Sequence, residues 1–81
     1  MTKPIEKLKD GLLCATIWMN ANDEGKVRYS ITLARNYQID GDWKETNSFS
    51  PTELLKVSVL AKAAYSRIGE LRRQAGQLED A

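Results

Sequence analysis

Between residues 27 and 33 apolar and polar positions alternate without a break. Val27, Tyr29, Ile31 and Leu33 fall on one side and Arg28, Ser30 and Thr32 on the other, the period-two signature of a half-buried strand. The strand is expected to continue through Arg35 and Tyr37 to Ile39, where Asp40-Gly41 supplies a hairpin turn of the kind that needs positive backbone angles. Upstream, Leu12 to Met19 is a near-continuous apolar run with β-branched and aromatic residues, bounded by Gly11 and by the turn cluster from Asn20 to Gly25, and reads as a buried strand. Gly11 permits a bend or bulge, so Lys7 to Met19 is either one kinked strand or two strands that meet there. Residues 1–10 are either a short first strand or a disordered lead, since Pro4 argues against a helix interior. After Asp40-Gly41 a further strand is expected, with Trp43, Glu45, Asn47 and Phe49 alternating with Lys44, Thr46 and Ser48.

At Ser50 the period changes. Ser50 sits where a helix N-cap should, Pro51 has the backbone angle wanted at the first helical position, and Glu53 completes a Ser-x-x-Glu capping box. Leu54, Val57, Ala61, Ala64, Ile68 and Leu71 then recur at three- and four-residue spacing, and Leu55, Val59 and Ala63 widen the stripe. A helix of roughly 25 residues is about 37 Å long, more than a small sheet covers. The excess predicts a homodimer through the helix, with Leu60, Ala64, Ile68 and Leu71 as contact candidates. The fold class read from these patterns is α+β: an antiparallel β-meander of three or four strands followed by one long C-terminal helix, β-β-β-β-α in the four-strand case. It forms one domain, 1–81, with the sheet in 5–49, the helix in 50–75 and a frayed polar tail in 76–81.

Composition narrows the chemistry. With 81 residues, a net charge of +1 and no run near the ~20 apolar residues that span a bilayer, one domain without membrane association is expected. Charged residues from Lys3 to Asp10 interrupt any secretory signal and Cys14 is the sole cysteine, so the cytoplasm is the expected compartment. The sequence has no His, no Gly-rich phosphate loop and no Asp/Glu grouping at metal-ligand spacing. No enzyme, metal, cofactor or small-molecule substrate is therefore expected. The acidic residues at Asp23-Glu24 and around Asp40 and Asp42 fall in turns, where such residues serve local hydrogen bonding.

The polar side of the sheet carries what signal there is. Strand parity projects Thr16, Trp18, Arg28, Ser30, Thr32, Lys44, Thr46 and Ser48 onto it, a surface that is cationic and rich in hydroxyls, with an aromatic. Cations attract phosphates, and an exposed Trp is a platform on which an unpaired base stacks, which suits single-stranded nucleic acid, DNA or RNA. An ordinary solvated sheet face reads the same way, and the low net charge favours it. Trp18 is either exposed on this face or, if a bulge at Gly11 shifts the register, a core or dimer-contact residue.

A strand from Lys7 to Met19, a long strand ending Ala-Arg-Asn-Tyr at 34–37, a turn and strand from Ile39 to Phe49, and Ser-Pro-Thr-Glu-Leu opening a terminal helix together resemble one known domain. It is the single-stranded-DNA-binding domain of the transcriptional positive cofactor four family, which shares its β-β-β-β-α plan with the Whirly proteins. The resemblance covers about residues 5 to 72. Ala-Thr-Ile-Trp at 15–18 and the stretch from Gly41 to Phe49 are also similar to short bacterial proteins of unassigned function. The cofactor resemblance implies a homodimer joined through its helices, which binds single strands across the sheet in transcription or DNA maintenance. Lys7, Lys9, Arg28, Arg35 and Lys44 would then contact phosphates, and Trp18, Tyr37 and Trp43 would stack on bases. The expectation is a sequence-nonspecific single-stranded nucleic-acid-binding homodimer; the alternative is a protein-interaction or structural dimer that uses its C-terminal helix.

Overall fold

Four antiparallel strands in the order β1-β2-β3-β4 form one sheet, and a single long helix follows. The structure is a computed structural model that describes the backbone of residues 2–80 and the side chains of residues 3–74. The strands are β1 (Thr2–Asp10), β2 (Leu13–Ala21), β3 (Val27–Ile39) and β4 (Asp42–Thr46). A 3-10 turn at Pro51–Glu53 leads into α1 (Leu54–Asp80). The α+β, β-β-β-β-α arrangement expected from the sequence is the one observed.

Local chemistry accounts for each connection. Residues 2–10 form a full strand rather than a lead, and Gly11 at φ 61° makes it a hairpin with β2, pairing Asp10 with Leu13, instead of a kink within one strand. Between β2 and β3 the Asn22 side chain accepts from the backbone N–H groups of Glu24 and Lys26, at 3.0 and 2.9 Å, and Gly25 takes φ 81°. At Asp40-Gly41 both residues have positive φ, 50° and 84°, the type I′ pattern that matches strand twist. At the helix start the Ser50 backbone N–H donates to Glu53 Oε1 at 2.9 Å, and the Ser50 hydroxyl donates to the same oxygen at 3.1 Å. The helix runs to Asp80, past the tail expected from position 76. Gly76 costs about 1 kcal/mol against Ala, too little to stop a helix with good formers on both sides and no proline.

The helix lies chiefly over β1 and β2. Leu13, Ala15 and Leu60 centre the core, with Leu8, Leu33, Phe49 and Val57 packed around them, and Ile17 and Ala64 are fully enclosed. Two ion pairs tie the helix to the sheet: Arg67 Nε donates to Glu6 Oε1 at 2.9 Å, and Arg35 Nε lies 3.4 Å from Glu53 Oε1. No helix among the described residues is long and apolar enough to cross a membrane.

Candidate nucleic-acid interface

Strand register decides which side chains share a face. Leu13, Ala15 and Ile17 face the helix, so their cross-strand partners do too: Asp10, Leu8 and Glu6 on β1, and Arg35, Leu33 and Ile31 on β3. The opposite, outer face takes the other parity. It carries Lys7 and Lys9 from β1 and Cys14, Thr16 and Trp18 from β2. Arg28, Ser30, Thr32, Ala34, Asn36 and Gln38 from β3 and Trp43 and Glu45 from β4 share it.

Trp18 lies on this face, the first of the two placements its sequence context allows. The residue is half-buried, and its indole N–H donates to Thr32 Oγ1 at 2.9 Å. The enclosed neighbour is Ile17, on the helix side. Cys14, Thr16 and Ala34 are buried although the helix lies on the other side: Cys14 and Thr16 are short and have Lys9 and Lys7 opposite them, with Trp18 two residues along, and Ala34 pairs with Cys14. The outer face thus has a floor of small buried residues beside Lys7, Lys9 and Trp18. Cys14 Sγ lies 3.7 Å from Thr16 Oγ1 within that floor.

Three of the projected contact residues lie elsewhere. Lys44 pairs with Tyr37, and Tyr37 shares the parity of Arg35, so Arg35, Tyr37 and Lys44 all belong to the helix side. Arg35 meets Glu53 there, its Nε buried and without a hydrogen bond. Thr46, opposite Arg35, moves with them, and the outward residues of β4 are Trp43 and Glu45. Counting parity back from Phe49 gives the wrong face for β4. The chain leaves the sheet after Thr46, and Asn47 Nδ2 donates to Leu33 O at 2.6 Å, so Phe49 reaches the core without sharing β4's alternation. The sequence does hold a usable signal: the two-residue turn at Asp40-Gly41 obliges Ile39 to face Asp42, from which every later pair can be counted. Arg28 and Lys44 are also not side by side, since Arg28 faces Asn20 while Lys44 faces Tyr37, about 30 Å along β3 at ~3.3 Å per residue.

Register also sorts the charges. Glu6 and Asp10 share the helix side with Leu8, and Asp42, opposite Ile39, lies there as well. Lys7, Lys9 and Arg28 remain outside with Glu45 as the one strand carboxylate of that face, and none of the three cations makes an ion pair among the described residues. Trp43, 63 % exposed, lies at the far end of the same face.

The helix residues named as dimer contacts are differently placed. Leu60 and Ala64 are buried in the chain's own core, and Ile68 and Leu71 are half-buried. The exposed apolar flank of the helix is Leu54, Leu55, Val59 and Tyr65. Of the wide apolar stripe, the inward half is used within the chain's own core and the outward half is the part left open. No group of His, Cys, Asp and Glu among the described residues could hold a metal ion.

No protein-family model matches the chain, and neither the curated proteins nor the solved structures contain a match.

Proposed function

We propose that the outer face of the sheet binds single-stranded nucleic acid without strong sequence preference. Lys7, Lys9 and Arg28 meet phosphates, Trp18 and Trp43 offer stacking surfaces, and the hydroxyls of Ser30 and Thr32 line the path between them. The observation that carries this reading is the sorting of charge. In the sequence, acids and bases interleave so closely that the net charge is +1, yet strand pairing turns Glu6, Asp10 and Asp42 to the helix side and leaves unpaired cations outside. Single strands fit better than duplex because a half-buried indole on an open sheet face suits an unstacked base, whereas among the described residues no helix or ribbon projects from that face to enter a groove.

Titration of fluorescent oligonucleotides across salt tests the proposal. Three phosphate contacts give a slope of log affinity against log salt of about −2, at about 0.7 per contact for single strands. Absence of binding at low salt would sink the reading. The exposed helix flank of Leu54, Leu55, Val59 and Tyr65 favours the second reading, a protein-interaction dimer. Association through that apolar flank would persist as salt rises, where phosphate contacts weaken.

A further inference from the structure

The two edges of the sheet are built differently. At the outer edge of β1, Pro4 has no N–H to offer, the register slips between Pro4 and Glu6, and Lys3, Lys7 and Lys9 line the strand. These are the devices by which proteins keep an edge from pairing with another chain. The other edge is composite. β4 is five residues long and ends opposite Arg35, so residues 27–34 of β3 have a partner on the β2 side alone. That open stretch, Val-Arg-Tyr-Ser-Ile-Thr-Leu-Ala, has no lysine, proline or bulge and is rich in strand-forming residues.

Its backbone polarity can be read from two hydrogen bonds. The Asn36 N–H donates to Leu12 O at 2.8 Å, so even-numbered residues of β3 turn their backbone groups toward β2. Leu33 O accepts from Asn47 Nδ2, so odd-numbered residues turn theirs outward. Tyr29 and Ile31 therefore present backbone donors and acceptors at an open edge. Beside Ile31, on the helix side, Tyr65, Ile68 and Gly69 together with Glu70, Arg72 and Arg73 line a groove of about 510 Å³.

We propose that this edge pairs antiparallel with the same edge of a second copy, about a two-fold axis at Ser30, joining two sheets into one of eight strands. Three features select a second copy and this register. The notch beside β4 spans residues 27–34, and a copy of the same segment fills it. Outward-turned residues must face outward-turned residues, which places the axis on a residue rather than between two. An axis at Ile31 would run two of its three pairs through Leu33, whose carbonyl Asn47 holds, and an axis at Tyr29 would set residues 32–34 against the copy's turn at 24–26; an axis at Ser30 meets Leu33 only in its outermost pairs, opposite Val27. An axis at Ser30 makes two complete pairs of Tyr29 with Ile31, aromatic against β-branched, and sets Arg28 opposite Thr32 instead of opposite its own copy. A short strand pair alone is small against the ~800 Å² a side of a standard interface. The partner's Tyr29 adds to it by standing beside Ile31 at the mouth of the groove. The joined outer faces then run on across the axis, with one Arg28 to either side. The proposal concerns the protein alone and does not rest on nucleic-acid binding.

Cysteine cross-linking of the full chain tests it. Facing copies of residue 30 form a non-hydrogen-bonded pair with Cα atoms about 4.5 Å apart, within disulfide range. The Ser30→Cys chain should run as a disulfide dimer on a non-reducing gel after mild oxidation, while Arg28→Cys, displaced from its copy by four residues, stays a monomer. Native Cys14 is buried and common to both. Wild type should sediment as a dimer, and Tyr29→Pro, which removes an outward N–H together with the ring that faces Ile31 of the copy, as a monomer with unchanged circular dichroism. Failure of Ser30→Cys to cross-link, equal cross-linking of Arg28→Cys, or a monomeric wild type at its solubility limit would each overturn the proposal. So would a dimer that survives Tyr29→Pro and is lost with Leu55→Glu, since that contact lies on the helix flank.

Discussion

The helix side and the outer side of this sheet use the same charged residue types and treat them in opposite ways. On the helix side the ion pairs are structural, with Arg67 reaching Glu6 from the helix and Arg35 meeting Glu53 at the helix start, and both anchor α1 over the sheet. On the outer side Lys7, Lys9 and Arg28 have no such partner among the described residues, and near them Ser30 and Thr32 are exposed and Trp18 is half-buried. Mutational effects should divide along the same line. Changes on the helix side should appear in stability, and changes on the outer side in ligand affinity.

The severest test of that contrast comes from the core. Leu60→Ala should lower unfolding free energy by about 2–5 kcal/mol, the usual cost of truncating a buried Leu, as measured by urea melts. Were Leu60 a dimer contact instead, its replacement would halve the mass and leave a folded monomer.

Trp18→Ala follows. On the outer face it should remove about 1–3 kcal/mol of oligonucleotide binding and cost less stability than Leu60→Ala, because the indole is half-buried and held there by one bond to Thr32. A melt reduced as far as that of Leu60→Ala would place Trp18 in the core.

Next, replacing Lys7, Lys9 and Arg28 together with Ala should flatten the oligonucleotide salt slope by about 2, while each site moves stability by no more than about 0.5 kcal/mol. The matched control replaces Lys44 and Tyr37, which are on the other face, and should leave the slope as it was. Equal flattening by both sets would erase the distinction between faces.

The mildest effect concerns pH. The Ser50 backbone N–H, first among its causes, holds the Glu53 carboxyl below the usual range, with the Ser50 hydroxyl and Arg35 adding to it against the opposing effect of desolvation. A carboxyl whose folded value is depressed contributes stability that is present above its unfolded value, about 4.3, and is lost as pH falls through the folded one. Melts from neutral pH to below that range should therefore fall less steeply for Glu53→Gln than for wild type. Parallel profiles would show that the capping carboxylate has no such linkage.

Much of the helix side is legible from neighbouring residues. Ser50, Pro51 and Glu53 announce the helix start, and the alternation of Val27, Tyr29, Ile31 and Leu33 marks the side of β3 that the helix partly covers. The outer side is legible only in part. Strand parity puts Thr16, Trp18, Arg28, Ser30 and Thr32 on it correctly but misplaces Lys44 and Thr46, because the chain leaves the sheet between Thr46 and Phe49 and parity does not carry across an irregular segment.

Strand and helix periods, the turns at Gly11, Asn22 and Asp40-Gly41, and the capping box are all written locally in the chain. Each depends on residues a few positions apart, whose steric and hydrogen-bonding preferences act without help from the rest of the molecule. The remaining features needed the assembled fold. Whether residues 2–10 pair as an edge strand, which carboxylates turn away from Lys7, Lys9 and Arg28, and which half of the helix stripe is enclosed all depend on pairing between segments distant in sequence. Period two says that neighbours along a strand face opposite ways; only pairing with the next strand, and the helix laid across one side, decides which of those ways is inward.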